Sequence, residues 1–271
     1  DAALKDFDKA ISIDPAREEE HIRANLGLVR SLHKLKGIHS NLTYFDQLIE
    51  DNPENASSYY FRALANISLG NAEHAYEDAW ESLRLGLRAT EVYATRAYAL
   101  LKFGSGDKIL RGSEELEQLV KKEAPNDPMI NLYAGAANLA RNNYDSAFEY
   151  IDHALLLDPE LALGHLLRAQ VFHAMGKEED AENSLSLLAP LELDSPLDHL
   201  DRGNLYIALG EFDLALADFN KAIDINPALP KSSLTRARTY ASIGEIDAAL
   251  KDFDKAISID PAREEEHIRA N

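Results

Sequence analysis

Cysteine is absent from the 271 residues, so the chain can form neither a disulfide nor a thiolate metal site. That absence carries little information about compartment. Basic residues are scarce: 28 Lys and Arg against 47 Asp and Glu leave a formal charge of −19. Such a surface repels nucleic-acid phosphates and anionic lipid, and excludes both as expected partners. No apolar run approaches the roughly 18–20 residues that a helix needs to cross a bilayer, so membrane insertion is not expected. Asp1 opens no signal-peptide pattern, which is uninformative in a chain that starts without methionine and is expected to lack its true start. The nine histidines contain no His-Glu-x-x-His pair, and His165 and His173 lie two turns apart on one expected helix, too far to share a metal. There is no nucleophile elbow, and no carboxylate pair stands out for acid–base work. Gly-Ser-Gly-Asp-Lys at 104–108 lacks the second spaced glycine, the following hydroxyl residue and the preceding strand of a phosphate loop, and reads as a turn between helices. No enzyme activity, metal or cofactor is therefore expected.

What is present is repetition. Residues 1–25 and 247–271 are identical, DAALKDFDKAISIDPAREEEHIRAN in both. Packing fixes apolar faces but leaves solvent-facing residues such as Lys5, Asp8 and Glu19 free to vary, so identity at every position calls for another cause. The two copies are 246 residues apart, and a shorter period fills the interval. In residues 196–229 an apolar stripe through Leu197, Leu200, Leu205 and Ile207 fits a first helix, broken at Gly210. A second stripe through Phe212, Leu216, Phe219, Ile223 and Ile225 fits a second helix, ended by Pro227. Small residues stand where the two backbones must approach: Gly203, Ala215 and Ala222. The same register recurs in 230–263 (Ala237, Tyr240, Gly244, Ala249, Phe253, Pro261), 128–161 (Gly135, Ala147, Ile151, Pro159), 162–195 (Ala169, Gly176, Ala181) and 56–89 (Tyr59, Ala63, Gly70, Ala75). These five units are 34 residues long; 18–55 and 90–127 are 38 long, and the seven together span the 246.

This pattern resembles the tetratricopeptide repeat, whose 34 residues carry Trp, Leu-Gly, Tyr, Ala, Phe and Pro at fixed intervals. Gly203, Tyr206, Ala215, Phe219 and Pro227 match it, while His199 and Arg202 stand in for Trp and Leu. The resemblance covers essentially the whole chain, and implies an all-α, right-handed superhelical solenoid of antiparallel helix pairs, one domain over 1–271. Residues 1–17 would be the second helix of a partial repeat, Glu18–Lys36 a long first helix, and 264–271 the start of a next repeat. Neither end shows a polar capping helix, and both read as cut.

The resemblance further implies that alternate turns of each first helix line a concave groove. By register these positions include Tyr60, Leu64, Ile67, Tyr98, Leu101, Leu132, Ala136, Leu139, Leu166, Gln170, His173, Leu200, Asn204, Leu234 and Arg238. That set is apolar and aromatic with few charges, and suits an extended or helical apolar peptide. The lysine and asparagine one turn apart with which some tetratricopeptide domains grip a carboxylate have no counterpart here. Three Asn-x-Ser/Thr triplets offer glycosylation sites at Asn41, Asn55 and Asn66, of which Asn55, in a turn after Pro53, is the most accessible by position. Two functions fit. The reading preferred on sequence alone is a structural protein, one period of a longer solenoid that assembles with itself head to tail, through the equivalent ends 1–25 and 247–271, into a fibre. The alternative is an adaptor that holds a peptide or protein partner in its concave groove.

Overall fold

The computed structural model describes residues 38–261, with side chains from Leu42 onward. The expected helices at 1–14 and Glu18–Lys36, the segment 264–271 and the side chain of Asn41 lie outside the described residues. Thirteen helices follow one another, with no strand among the described residues. They are α1 (Ile38–Asp51), α2 (Ala56–Leu69), α3 (Ala72–Arg84), α4 (Thr90–Phe103), α5 (Asp107–Lys122), α6 (Pro128–Ala140), α7 (Tyr144–Leu157), α8 (Ala162–Ala174), α9 (Glu178–Leu188), α10 (Pro196–Ala208), α11 (Phe212–Ile225), α12 (Pro230–Ser242) and α13 (Ile246–Ile259). Packing divides the chain into two compact units, one up to Ile67 together with Asn71–Leu157, the other from Asp158 onward together with Ser68–Gly70. No helix of the described residues is long and apolar enough to cross a membrane.

Turn chemistry fixes where the helices begin and end. Two of the first helices of a pair, here called A helices, start on a side-chain cap followed by a proline at the first helical position: Asp127 accepts from the Ile130 amide at 2.9 Å and Ser195 from Leu197 at 3.2 Å. An A helix stops at a residue in the left-handed region, for example Gly210 at φ 83°, where the next amide, of Glu211, turns back to the Tyr206 carbonyl at 2.8 Å. In 128–161 the same place is filled by Asn142 at φ 60°, with Asn143 bonded back to Asn138, because asparagine is the residue that best tolerates that backbone after glycine. The longer repeat 90–127 departs from the rule. Gly104 is extended at φ −75°, Gly106 opens the second helix, and that helix runs for 16 residues.

Within each pair the helices touch through small residues. Ala147 and Ala215 are fully buried and Ala249 nearly so. A Cβ placed on Gly203 would stand 2.4 Å from Phe219 Cε1, and one on Gly135 2.5 Å from Ile151 Cγ1. Within the units the pairs then stack through their A helices: α4 packs on α6, α8 on α10 and α10 on α12. Each unit is thus a run of antiparallel helix pairs whose A helices lie side by side, and the core is the seam between A and B helices.

Candidate interaction surface

Two places on the A helices recur from repeat to repeat. At the fifth position of their units stand Tyr60, Leu132, Leu166, Leu200 and Leu234; at the ninth, Leu64, Tyr98, Ala136, Gln170, Asn204 and Arg238. Tyr60, Leu132, Leu166 and Leu200 are buried, and so is Tyr98, whose ring stacks on Tyr133 of the next A helix with centroids 4.0 Å apart. Burial pushes the Tyr60 hydroxyl above the usual phenol range. These five expected groove residues are taken up by packing. What is left to meet a partner is Leu64, Ile67, Leu101, Ala136, Leu139, Gln170, His173 and Leu234, half-buried, with Asn204 and Arg238 exposed. The two fully exposed members are polar, while most of the half-buried ones are apolar. The polar members in the second unit form a ladder of Gln170, Asn204 and Arg238 on successive A helices, with His173 beside it, its Nδ1 3.0 Å from Glu178.

The A helices are held in place by a recurring brace. Arg62, Arg202 and Arg236 occupy the seventh position of their units, and each reaches an aspartate 16 residues on in the B helix. Arg202 donates through Nε to Asp218 Oδ2 at 2.8 Å and through Nη2 to Oδ1 at 2.6 Å. Arg236 holds Asp252 at 2.6 and 2.7 Å, and Arg62 holds Asp78 at 2.9 and 2.6 Å. Two of these arginines also reach backward by 16 residues, Arg62 to Asp46 at 2.8 Å and Arg236 to Asn220, so one guanidinium ties its own B helix to the preceding one. The planar fork suits this double duty in a way that lysine could not. Where four residues are inserted, in 90–127, Arg96 finds Glu115 instead, 19 residues on. Burial of Asp218 alone would raise its pKa, but the hydrogen bonds from Arg202 and His199 outweigh that and hold the carboxyl below its ordinary value.

The fourth position carries a second repeated device. Asn131, His165 and His199 each contact the carbonyl oxygen six residues earlier, that of Pro125 at 2.9 Å, Pro159 at 2.9 Å and Leu193 at 3.2 Å. They tie the turn between repeats to the A helix that follows it. Two of the nine histidines thus have a structural task. The described residues contain no cluster of three or more metal-ligating side chains. Of the glycosylation candidates, Asn66 is buried, and its Nδ2 donates to Asp78 at 3.1 Å. Asn55 is half-buried at the α2 N-terminus, where its Oδ1 accepts from the amides of Ser57 and Ser58 at 3.1 and 3.3 Å.

Tetratricopeptide repeat models match residues 96–162, 199–229 and 230–263, in the register read above. The chain belongs to the tetratricopeptide repeat family. Human DnaJ homolog subfamily C member 3 is 28% identical over an alignment of 172 residues that covers 57% of this chain and 33% of that protein. The chain thus spans about a third of the length of that relative. Among solved structures, the APC/C hetero-tetramer Cut9-Hcn1 superposes with a TM-score of 0.64 at 17% identity, over 84% of this chain and 42% of that one. A tetratricopeptide repeat protein from Parabacteroides merdae gives 0.55 at 15% identity, over 92% and 98%. Yeast Tom70 gives 0.50 at 16%, over 87% and 57%. At these identities the likeness establishes the fold.

Proposed function

We propose that this tetratricopeptide repeat protein is a non-enzymatic scaffold that holds a peptide segment of a protein partner on its A helices. The observation that carries the reading is the ladder Gln170, Asn204 and Arg238, which stays at least half-accessible on neighbouring A helices while Leu166 and Leu200 beside it are buried. Amide side chains repeating at the helix spacing suit the main-chain amides of an extended peptide, and an exposed guanidinium adds a carboxylate partner. The preferred ligand is therefore an extended peptide with an acidic residue to meet Arg238. Cut9-Hcn1 is a hetero-tetramer, which agrees with a fold used in protein assemblies. The comparisons favour this scaffold over the fibre reading, whose support is the duplicated stretch.

The test is selection of peptides from a displayed random library on the immobilised chain, followed by titration. Asn204→Ala combined with Arg238→Ala is expected to weaken a selected peptide about tenfold or more, a loss of about 1.4 kcal/mol or greater, with the helical circular dichroism unchanged. Selected peptides that bind the double variant as well as the parent chain would refute the assignment.

A further inference from the structure

One repeat carries more chain than its helix pair needs. In the five 34-residue units the B helix begins three residues before the alanine at the crossing, as Ala72 does before Ala75 and Phe212 before Ala215. In 90–127 the crossing place belongs to Gly112, where a Cβ would stand 2.9 Å from the Ala97 carbonyl oxygen. Yet α5 begins five residues before it, at Asp107. Arg96 and Glu115, 19 residues apart where the other braces span 16, place the excess ahead of Glu115. The excess thus lengthens α5 at its start. The turn that leads into it is fixed rather than loose. Gly106 stands at φ 52° and ψ −116°, a backbone that glycine alone adopts readily. A Cβ on Gly104 would fall 2.4 Å from the Leu100 carbonyl oxygen.

The early start of α5 sets two cations beside a row of aromatic rings. Tyr76 of α3 and Phe103 at the end of α4 have ring centroids 5.6 Å apart. Trp80, 47% exposed, follows Tyr76 by four residues on the same face of α3. The Lys108 ammonium lies 5.2 Å from the centroid of Phe103, and Arg111 follows it by three residues, exposed. On α3 itself Glu73 and Glu77 are exposed next to Tyr76 and Trp80 in the chain. None of these four charges forms an ion pair among the described residues. We infer that this surface docks a segment of a protein partner that lays an apolar side chain on the aromatic row, with a carboxylate toward Lys108 and Arg111 and a basic side chain toward Glu73 and Glu77. Charge complementarity selects that occupant. A segment with one sign of charge would meet like charge at one end, and an uncharged one would take water from charges that gain no partner. The inference concerns the first unit alone and does not rest on the Gln170–Asn204–Arg238 ladder.

Trp80 is the one tryptophan of the chain, so its emission reports this surface directly. Peptides are selected from a displayed random library on the chain carrying Asn204→Ala and Arg238→Ala, which removes the ladder. Selected peptides without tryptophan are then titrated. The expected result is a saturable change in Trp80 emission, caused by peptides that carry an acidic and a basic residue about an apolar one. Lys108→Glu with Arg111→Glu, both at exposed sites, is expected to weaken them about tenfold or more, with the helical circular dichroism unchanged. Lys121→Glu with Lys122→Glu makes the same change of charge about 20 Å along α5 and is expected to leave the affinity unchanged. The inference is overturned if no peptide moves the Trp80 signal, or if those that do lack the acidic residue. Binding that survives the first double variant, or that the second weakens equally, overturns it too. Sedimentation velocity in which the chain associates with itself, and the first double variant abolishes this, would assign the surface to a second copy and refute the partner segment.

Discussion

Replacing Asp218 tests the brace between A and B helices. Its carboxylate is 4% exposed and accepts three hydrogen bonds, two from Arg202 and one from His199 Nδ1 at 2.8 Å. Asp218→Ala leaves the guanidinium and the imidazole facing a hole. Breaking a buried pair by removing one partner costs about 3–5 kcal/mol. The Arg202 side chain keeps 17% of its exposure and is partly rehydrated, which places the expected cost at the lower end, about 3 kcal/mol. Asp218→Asn keeps the shape and one acceptor but exchanges charged for neutral hydrogen bonds, and is expected to cost about 1–2 kcal/mol. Because repeat proteins store stability locally, a single melting temperature is a poor readout. Native-state hydrogen exchange is the suitable assay. Amides of α10 and α11 are expected to lose protection, while those of α4 and α5 in the other unit keep theirs. The pH dependence has a definite sign. The folded pKa of Asp218 lies below its unfolded value, so its contribution is complete above about pH 4 and is lost as pH falls through the folded value. The difference between the parent chain and Asp218→Asn should therefore shrink in acid. A cost under about 0.5 kcal/mol for Asp218→Ala, the scale of an ordinary surface substitution, would refute the reasoning.

Gly203→Ala is expected to destabilise, although glycine to alanine inside a helix normally gains about 0.5–1 kcal/mol. The new Cβ would meet the buried Phe219 ring at 2.4 Å, and overpacking costs about 1–3 kcal/mol, so a rise in thermal stability would contradict the close approach. In 162–195 the brace acid is replaced by Ser184, 3.3 Å from Arg168 Nε. Ser184→Asp is expected to couple to Arg168 by about 0.5–3 kcal/mol in a double-mutant cycle, and zero coupling would count against a common brace geometry. Asn66→Asp would set a second carboxyl against buried Asp78 and is expected to cost about 1–3 kcal/mol at neutral pH, with recovery in acid; equal stability at both pH values would show that Asn66 does not donate there.

The helix pairs were legible because backbone geometry restricts residue choice. A left-handed helix end selects glycine, and a close crossing selects Gly203 or Ala215, so both leave a mark at fixed intervals. Burial along the A helix was harder to read. Periodicity tells which residues share a face, but not whether the next helix covers them. Tyr98 and Arg238 hold the same register position, yet one is stacked under Tyr133 and the other is exposed. The brace escaped notice for a different reason. Arg202 was read as a stand-in for an apolar residue, since a single arginine on a packed face carries no sign of its partner. Its signal was the pairing of arginine with aspartate 16 residues on, in three of the seven units, which emerges when the repeats are aligned two columns at a time. His165 and His199 lacked even that, because the groups they contact are main-chain carbonyls that any residue supplies.

The most direct test of the scaffold reading is a hydrogen-exchange footprint of a peptide selected on this chain. Added protection is expected on α8, α10 and α12, the A helices that carry Gln170, His173, Asn204 and Arg238, with α9, α11 and α13 little changed. Protection centred on those B helices, or no peptide that binds at all, would contradict it.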